Sequence, residues 1–224
     1  MPRADFENNL KLVQDDVVEL SSMVEKSIYK AIDALKRRNM EESQAVIDED
    51  DLIDNKQTEI EDKCIDLIAL ESPIAGDLRI VISAMMVATE LERIGDYAEG
   101  IAKISLLMGD MPPLKPLIDI PRMADHAIQM LKLSIDSFIS RNVQVAINVC
   151  KEDDAIDDMY EQVYRELLTY MMADPTTIQR ATYLLWVAHD LERVGDRATN
   201  IAERVMYLVT GNSDKTKVRE IYSD

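Results

Sequence analysis

The sequence predicts an all-α fold, two tandem three-helix bundles related by internal duplication, on three observations. LERIGD at residues 91–96 returns as LERVGD at 191–196, displaced by one hundred residues. Hydrophobic residues make up 47% of the 224-residue chain but aromatics only 5%, with six glycines and seven prolines, a balance that favours packed helices over sheets. Four of those prolines (Pro112, Pro113, Pro116 and Pro121) crowd into residues 109–121, where a helix is blocked repeatedly. The length suffices for two cores.

In order along the chain, a first bundle is expected over 1–110, a Pro-rich linker over 111–121, a second bundle over 122–211 and a mobile tail over 212–224. Helix breaks are expected near Asn39 and Pro73, then near Asn142 and Pro175. The opening segments end alike, AIDALKRRN at 31–39 and SIDSFISRN at 134–142. In the second segments, Ile53, Ile60 and Leu67 correspond to Ile156, Val163 and Tyr170. The third segments carry the clearest signal. Ile80, Ala84, Val87, Leu91, Ile94, Ala98, Ile101 and Met108 recur at steps of three and four, interrupted only by Ser105. Leu184, Val187, Leu191, Val194, Ala198, Ile201, Val205 and Leu208 repeat that seam.

The formal charge is −18, from 43 acidic and 25 basic side chains, so the field of the protein repels phosphate backbones and anionic lipid. No direct nucleic-acid role is expected; cations or a basic patch on a partner protein suit this surface. Cys64 and Cys150 occupy unrelated places in the repeat, which suits thiols in a reducing compartment. The opening residues MPRADFENNLKL lack the apolar run of a secretion signal, and the apolar stretch Ile80 to Thr89 is too short to span a bilayer, so a cytoplasmic location is expected.

The candidate site residues are carboxylates. Glu92 and Asp96, and likewise Glu192 and Asp196, are four apart and share a helix face. Such pairs alone usually mark a solvated face. The second segments add Asp50 with Asp54 and Asp153 with Asp157, and their heights match. Asp54 and Glu92 each stand 19 residues from Pro73, and Asp50 and Asp96 each stand 23. From Pro175, Asp157 and Glu192 are 18 and 17 residues away, Asp153 and Asp196 22 and 21. Equal rise on two antiparallel helices brings each foursome to one level, although sequence does not fix which way the side chains face. Four facing carboxylates call for protons or cations, and an all-oxygen set suits magnesium, manganese or iron better than a structural zinc.

Gly95 and Gly195 interrupt these helices at a cost of about 1 kcal/mol each relative to alanine, which tight packing or the shaping of a metal site would explain. Arg93 and Arg193 are candidates to pair with the acids. His126 and His189 are expected to be ordinary surface or packed residues, and Asp77 to cap the third segment. No glycine-rich phosphate loop, nucleophile elbow or Cys/His pair is present in the sequence.

Taken together, DEDDLID, SPIAGDLR, LERIGDYAEGIA, KEDDAIDD and LERVGDRATNIAERVMYLVTG resemble the PhoU family of phosphate-transport regulators, over nearly the whole chain. The resemblance implies tandem PhoU-like, or spectrin-like, bundles bearing multinuclear metal clusters of iron, manganese or magnesium, zinc being possible. Their ligands would be Asp50, Asp54, Glu92 and Asp96, then Asp153, Asp157, Glu192 and Asp196. It also implies a non-enzymatic adaptor that restrains the Pst phosphate transporter and the phosphate-starvation response. The implied partners are the transporter ATPase and a membrane sensor histidine kinase, with membrane association only through them, and a homodimer. A carboxylate-bridged metalloenzyme is the alternative reading. GDLR occurs only in the first half, so contacts through it would belong to the first bundle alone.

Overall fold

The computed structural model describes residues 3–212; the tail expected beyond Asn212 lies outside the described residues. Six long helices follow one another: α1 (Arg3–Arg37), α2 (Met40–Glu71), α3 (Gly76–Met108), α4 (Asp119–Ser140), α5 (Val143–Ala173) and α6 (Ile178–Thr210), with a single 3-10 turn at Pro175–Thr177 before α6.

Local chemistry sets the breaks. Arg38 and Arg141, equivalent in the repeat, take left-handed backbone with φ of 58° and 54°. The asparagine after each then caps the next helix. Asn39 Oδ1 accepts from the Glu42 amide at 3.1 Å, and Asn142 Oδ1 accepts from the Gln144 and Val145 amides at 3.0 and 3.2 Å. The second turns differ. Ser72 ends α2 in left-handed backbone, whereas Asp174 Oδ1 accepts from the Thr176 amide at 2.9 Å, across Pro175. Asp77 lies in the first turn of α3, suited to the helix dipole, but the start of α3 has no side-chain cap; the expected capping bond is not formed. The expected linker also shortens. Pro121 falls inside the first turn of α4, where its missing N–H has no helical partner to lose, so the connection runs from Gly109 to Ile118.

Each half packs its three helices around one apolar interior, and the halves lie side by side, α3 along α6 and α1 along α4. All sixteen seam residues of α3 and α6 are buried. The polar interruption is satisfied: Ser43 Oγ donates to Ser105 Oγ at 2.9 Å. On α5 the buried seam continues through Leu167 while Tyr170 is only half-buried, so the expected correspondence of Tyr170 with Leu67 fails at the core level. Cys64 and Cys150 are buried thiols. Among the described residues no helix is long and apolar enough to cross a membrane.

Candidate functional site

The carboxylates lie where α2 meets α3 and where α5 meets α6. On α2 the basic residues turn away from this seam. Lys56 Nζ reaches Asp16 at 2.7 Å and Glu19 at 2.6 Å on α1, and Lys63 Nζ reaches Asp16 at 2.7 Å. Neither lysine pairs with Asp50 or Asp54.

The packing of α2 on α3, and of α5 on α6, explains the glycines. A Cβ at Gly95 would stand 3.0 Å from Ile53 Cγ2 and 3.3 Å from Asp50 Oδ1; at Gly195 it would stand 2.9 Å from Ile156 Cγ2. At both places an isoleucine side chain of the second helix packs directly on the glycine backbone of the third, and in the first half the same gap admits a carboxylate oxygen.

The four acids of each half act on one another. Burial, then the charges of Glu99, Asp54 and Asp96, push the Asp50 carboxyl up to about 6 from an ordinary 3.8. Glu92 and Asp96 are raised for the same reasons, burial first and then Asp96 with Asp54, and Asp54 with Glu99, respectively. In the second half burial raises Asp153, Asp157 and Glu192, and Asp196 adds to each. The structure thus brings each foursome to one electrostatic neighbourhood. Among the described residues, however, no three His, Cys, Asp or Glu side chains converge closely enough to hold one metal ion as they stand.

Two carboxylate oxygens among the described residues are left without a partner. Asp50 Oδ1 and Glu192 Oε2 are buried without a hydrogen-bond donor. An anionic oxygen so placed is costly until a cation or proton meets it, and an all-carboxylate set offers the hard donors that magnesium, manganese and iron prefer. Arg193 offsets part of the charge, donating to Asp196 Oδ2 at 2.7 Å; Arg93 lowers Glu92 and Asp96 only through its field. The histidines stand apart. His126 Nε2 lies 3.3 Å from the Glu152 carbonyl, and His189 Nδ1 lies 3.9 Å from Asp190.

One residue of the neighbourhood escaped sequence reasoning. Glu99 is the foremost charge acting on Asp50 and also acts on Asp96, while Lys103 Nζ pairs with it at 2.5 Å. Its spacing of three after Asp96 was the available signal. At the equivalent position Thr199 Oγ1 donates to Asp153 Oδ1 at 3.1 Å.

Two three-helix units repeated in tandem, each with a level row of carboxylates between its second and third helices, define a duplicated helical-bundle protein with an acidic face on each half. The PhoU domain model matches residues 17–105 and again 120–205. The chain belongs to the PhoU family. It is 38% identical over 212 residues to a phosphate-specific transport system accessory protein PhoU homolog of Clostridium acetobutylicum, covering 94% of this chain and 97% of that one. A homolog of the same description from Aquifex aeolicus is 40% identical over 202 residues, 90% of this chain and 91% of its own. The crystal structure of PhoU from Pseudomonas aeruginosa superposes with a TM-score of 0.87 at 32% identity, covering 92% of this chain and all of that one. A PhoU described as the phosphate transport system regulatory protein of Streptococcus pneumoniae gives 0.86 at 31% identity, over 92% and 98%.

Proposed function

We propose that this chain is a metal-binding regulatory adaptor of the Pst phosphate transport system, acting in the cytoplasm to restrain phosphate uptake and to keep the phosphate-starvation response off. The observation that carries the reading is the pair of level carboxylate rows, each with a buried anionic oxygen that lacks a donor, in a chain whose relatives are named accessory to phosphate-specific transport. Asp50, Asp54, Glu92 and Asp96 would hold one cluster of cations, and Asp153, Asp157, Glu192 and Asp196 the other. Bound cations would neutralise the rows and fix the seam between second and third helices.

The adaptor works by binding. Its partners are the transporter ATPase and, through the same signalling system, a membrane sensor histidine kinase; it reaches the membrane only through them and pairs as a homodimer. Affinity capture with the purified ATPase, beside radiolabelled phosphate uptake in cells lacking and then regaining the protein, tests this. Capture of the ATPase and uptake that rises on loss and falls on return are expected. Unchanged uptake together with no capture overturns the proposal.

A further inference from the structure

The Pro-rich connection from Gly109 to Ile118 is held at two points. Arg180 of α6 donates from Nη1 to the Pro112 carbonyl at 3.1 Å, and Lys115, only 9% exposed, pairs with Glu166 of α5 and with Asp119 at the start of α4. The connection so fixed forms one side of a cavity of about 430 Å³, whose apolar lining comes from three places: Leu35 near the end of α1, Leu117 of the connection itself, and Leu184 near the start of α6. That volume lies within the roughly 300–1,000 Å³ of small-molecule sites.

Lys36 and Arg38 also line the cavity, and among the described residues neither has an acidic partner. Arg37 between them does, reaching Asp33 at 3.0 Å. Acids outnumber bases 43 to 25 along the chain, yet none lines this cavity. The end of a helix favours cations, but that alone does not call for Lys36: at the equivalent end of α4 stands Ile139, with Arg141 in the place of Arg38.

We propose that this cavity binds an amphiphilic anion, a negatively charged head on an apolar body, at a site apart from the carboxylate rows. Lys36 and Arg38 meet the head with charge-assisted hydrogen bonds, and Leu35, Leu117 and Leu184 meet the body. Lys115 holds the connection and not the ligand, because Glu166 and Asp119 already answer its charge. A chain of net charge −18 repels anions at long range, so capture depends on the two unpaired cations at short range. The occupant touches both bundles and the connection between them.

Calorimetric titration of the full chain with decyl phosphate, kept below its micelle concentration, tests this. One molecule per chain is expected to bind, less tightly as salt is added. Lys36→Gln together with Arg38→Gln should weaken binding about ten-fold or more, the scale of losing hydrogen bonds to a charged group. Leu117→Trp, which fills the hollow from the connection, should weaken it too, with the circular dichroism of both variants unchanged. Decanol and inorganic phosphate, each lacking one half of the ligand, should bind less tightly than decyl phosphate. Equal affinity in the parent and the Lys36→Gln, Arg38→Gln protein, or no binding by the parent, overturns the proposal. So does retention on phosphatidylglycerol vesicles that needs Lys36 and Arg38 but comes without uptake of free decyl phosphate, which would assign these cations to a membrane surface.

Discussion

Glu90 on α3 accepts a hydrogen bond from Asn200 on α6 at 3.2 Å, and the duplication turns the same pairing into Asp190 against Gly100. Arg197 adds a second donor to Glu90 at 3.3 Å. The residue equivalent to Arg197 in the other half is Tyr97, which brings no charge to Asp190. A Cβ at position 100 would stand 3.2 Å from Asp190 Oδ2, so glycine here makes room for a carboxylate at the junction of the bundles.

This asymmetry has a pH signature. Burial raises the Asp190 carboxyl to about 6 from an ordinary 3.8, with His189 opposing the shift. The native state therefore holds its proton more tightly than the unfolded chain does. The stability this provides is full below about pH 4 and is lost as pH rises toward about 6. Asp190→Asn should raise stability at pH 7 by on the order of 1 to 2 kcal/mol and flatten the difference between the proteins above pH 6. Urea unfolding from pH 4 to 8 measures it; a difference that grows at low pH would refute the sign.

The glycines within the motifs should not be equivalent to the glycine at the start of α3. A methyl at Gly195 meets Ile156 Cγ2 at 2.9 Å, and that branch cannot swing aside without moving its helix. Gly195→Ala should destabilise by about 1 to 3 kcal/mol despite alanine's better helix propensity. Gly95→Ala should do the same, since it meets Ile53 at 3.0 Å. Gly76, with nothing within 4 Å of its Cβ position, should accept alanine at no loss. Denaturant midpoints of the three variants decide whether packing holds these glycines in place.

The buried serine pair offers a third test. Ser105→Ala removes the acceptor of the Ser43 hydroxyl inside the first bundle and should cost about 1 to 2 kcal/mol. Adding Ser43→Ala should recover much of that loss, because no buried donor is then left without a partner. A double variant that is merely the sum of the two single losses would show that the bond contributes nothing of its own.

Much of this was legible along the chain because helices repeat their faces at a fixed period. The α3 and α6 seams follow from that period, and the level of Asp50 with Asp96 follows from equal rise on either side of Pro73. Facing is another matter. A one-dimensional count carries no azimuth, and it is the close approach of Ile53 and of Asp50 Oδ1 to Gly95 that shows Asp50 turned toward α3. Glu99 stayed hidden because the duplication was the guide to the site, and at its equivalent the chain carries Thr199. The boundary at Pro121 misled for a local reason: proline stops a helix in its interior but is accepted in the first turn.

The first carboxylate row yields the last prediction. Its raised groups, Asp50 to about 6 and Glu92 and Asp96 in the same direction, owe their shifts first to burial and then to neighbouring carboxylates, Glu99 and Asp54 among them. As for Asp190, a raised carboxyl contributes stability that fades as pH climbs through its folded value, so without metal the row opposes folding at pH 7. Asp50→Asn, Asp54→Asn, Glu92→Gln and Asp96→Asn together should raise the Tm in chelator-treated buffer at pH 7. Mn²⁺ should stabilise the parent more than the neutralised protein. Binding to the native state alone stabilises the parent by about 2.7 kcal/mol at one hundred times Kd, while the neutralised protein keeps only what its second row contributes. The order of Tm values should then reverse on adding the ion. If Mn²⁺ raises both proteins equally, the first row holds no cation.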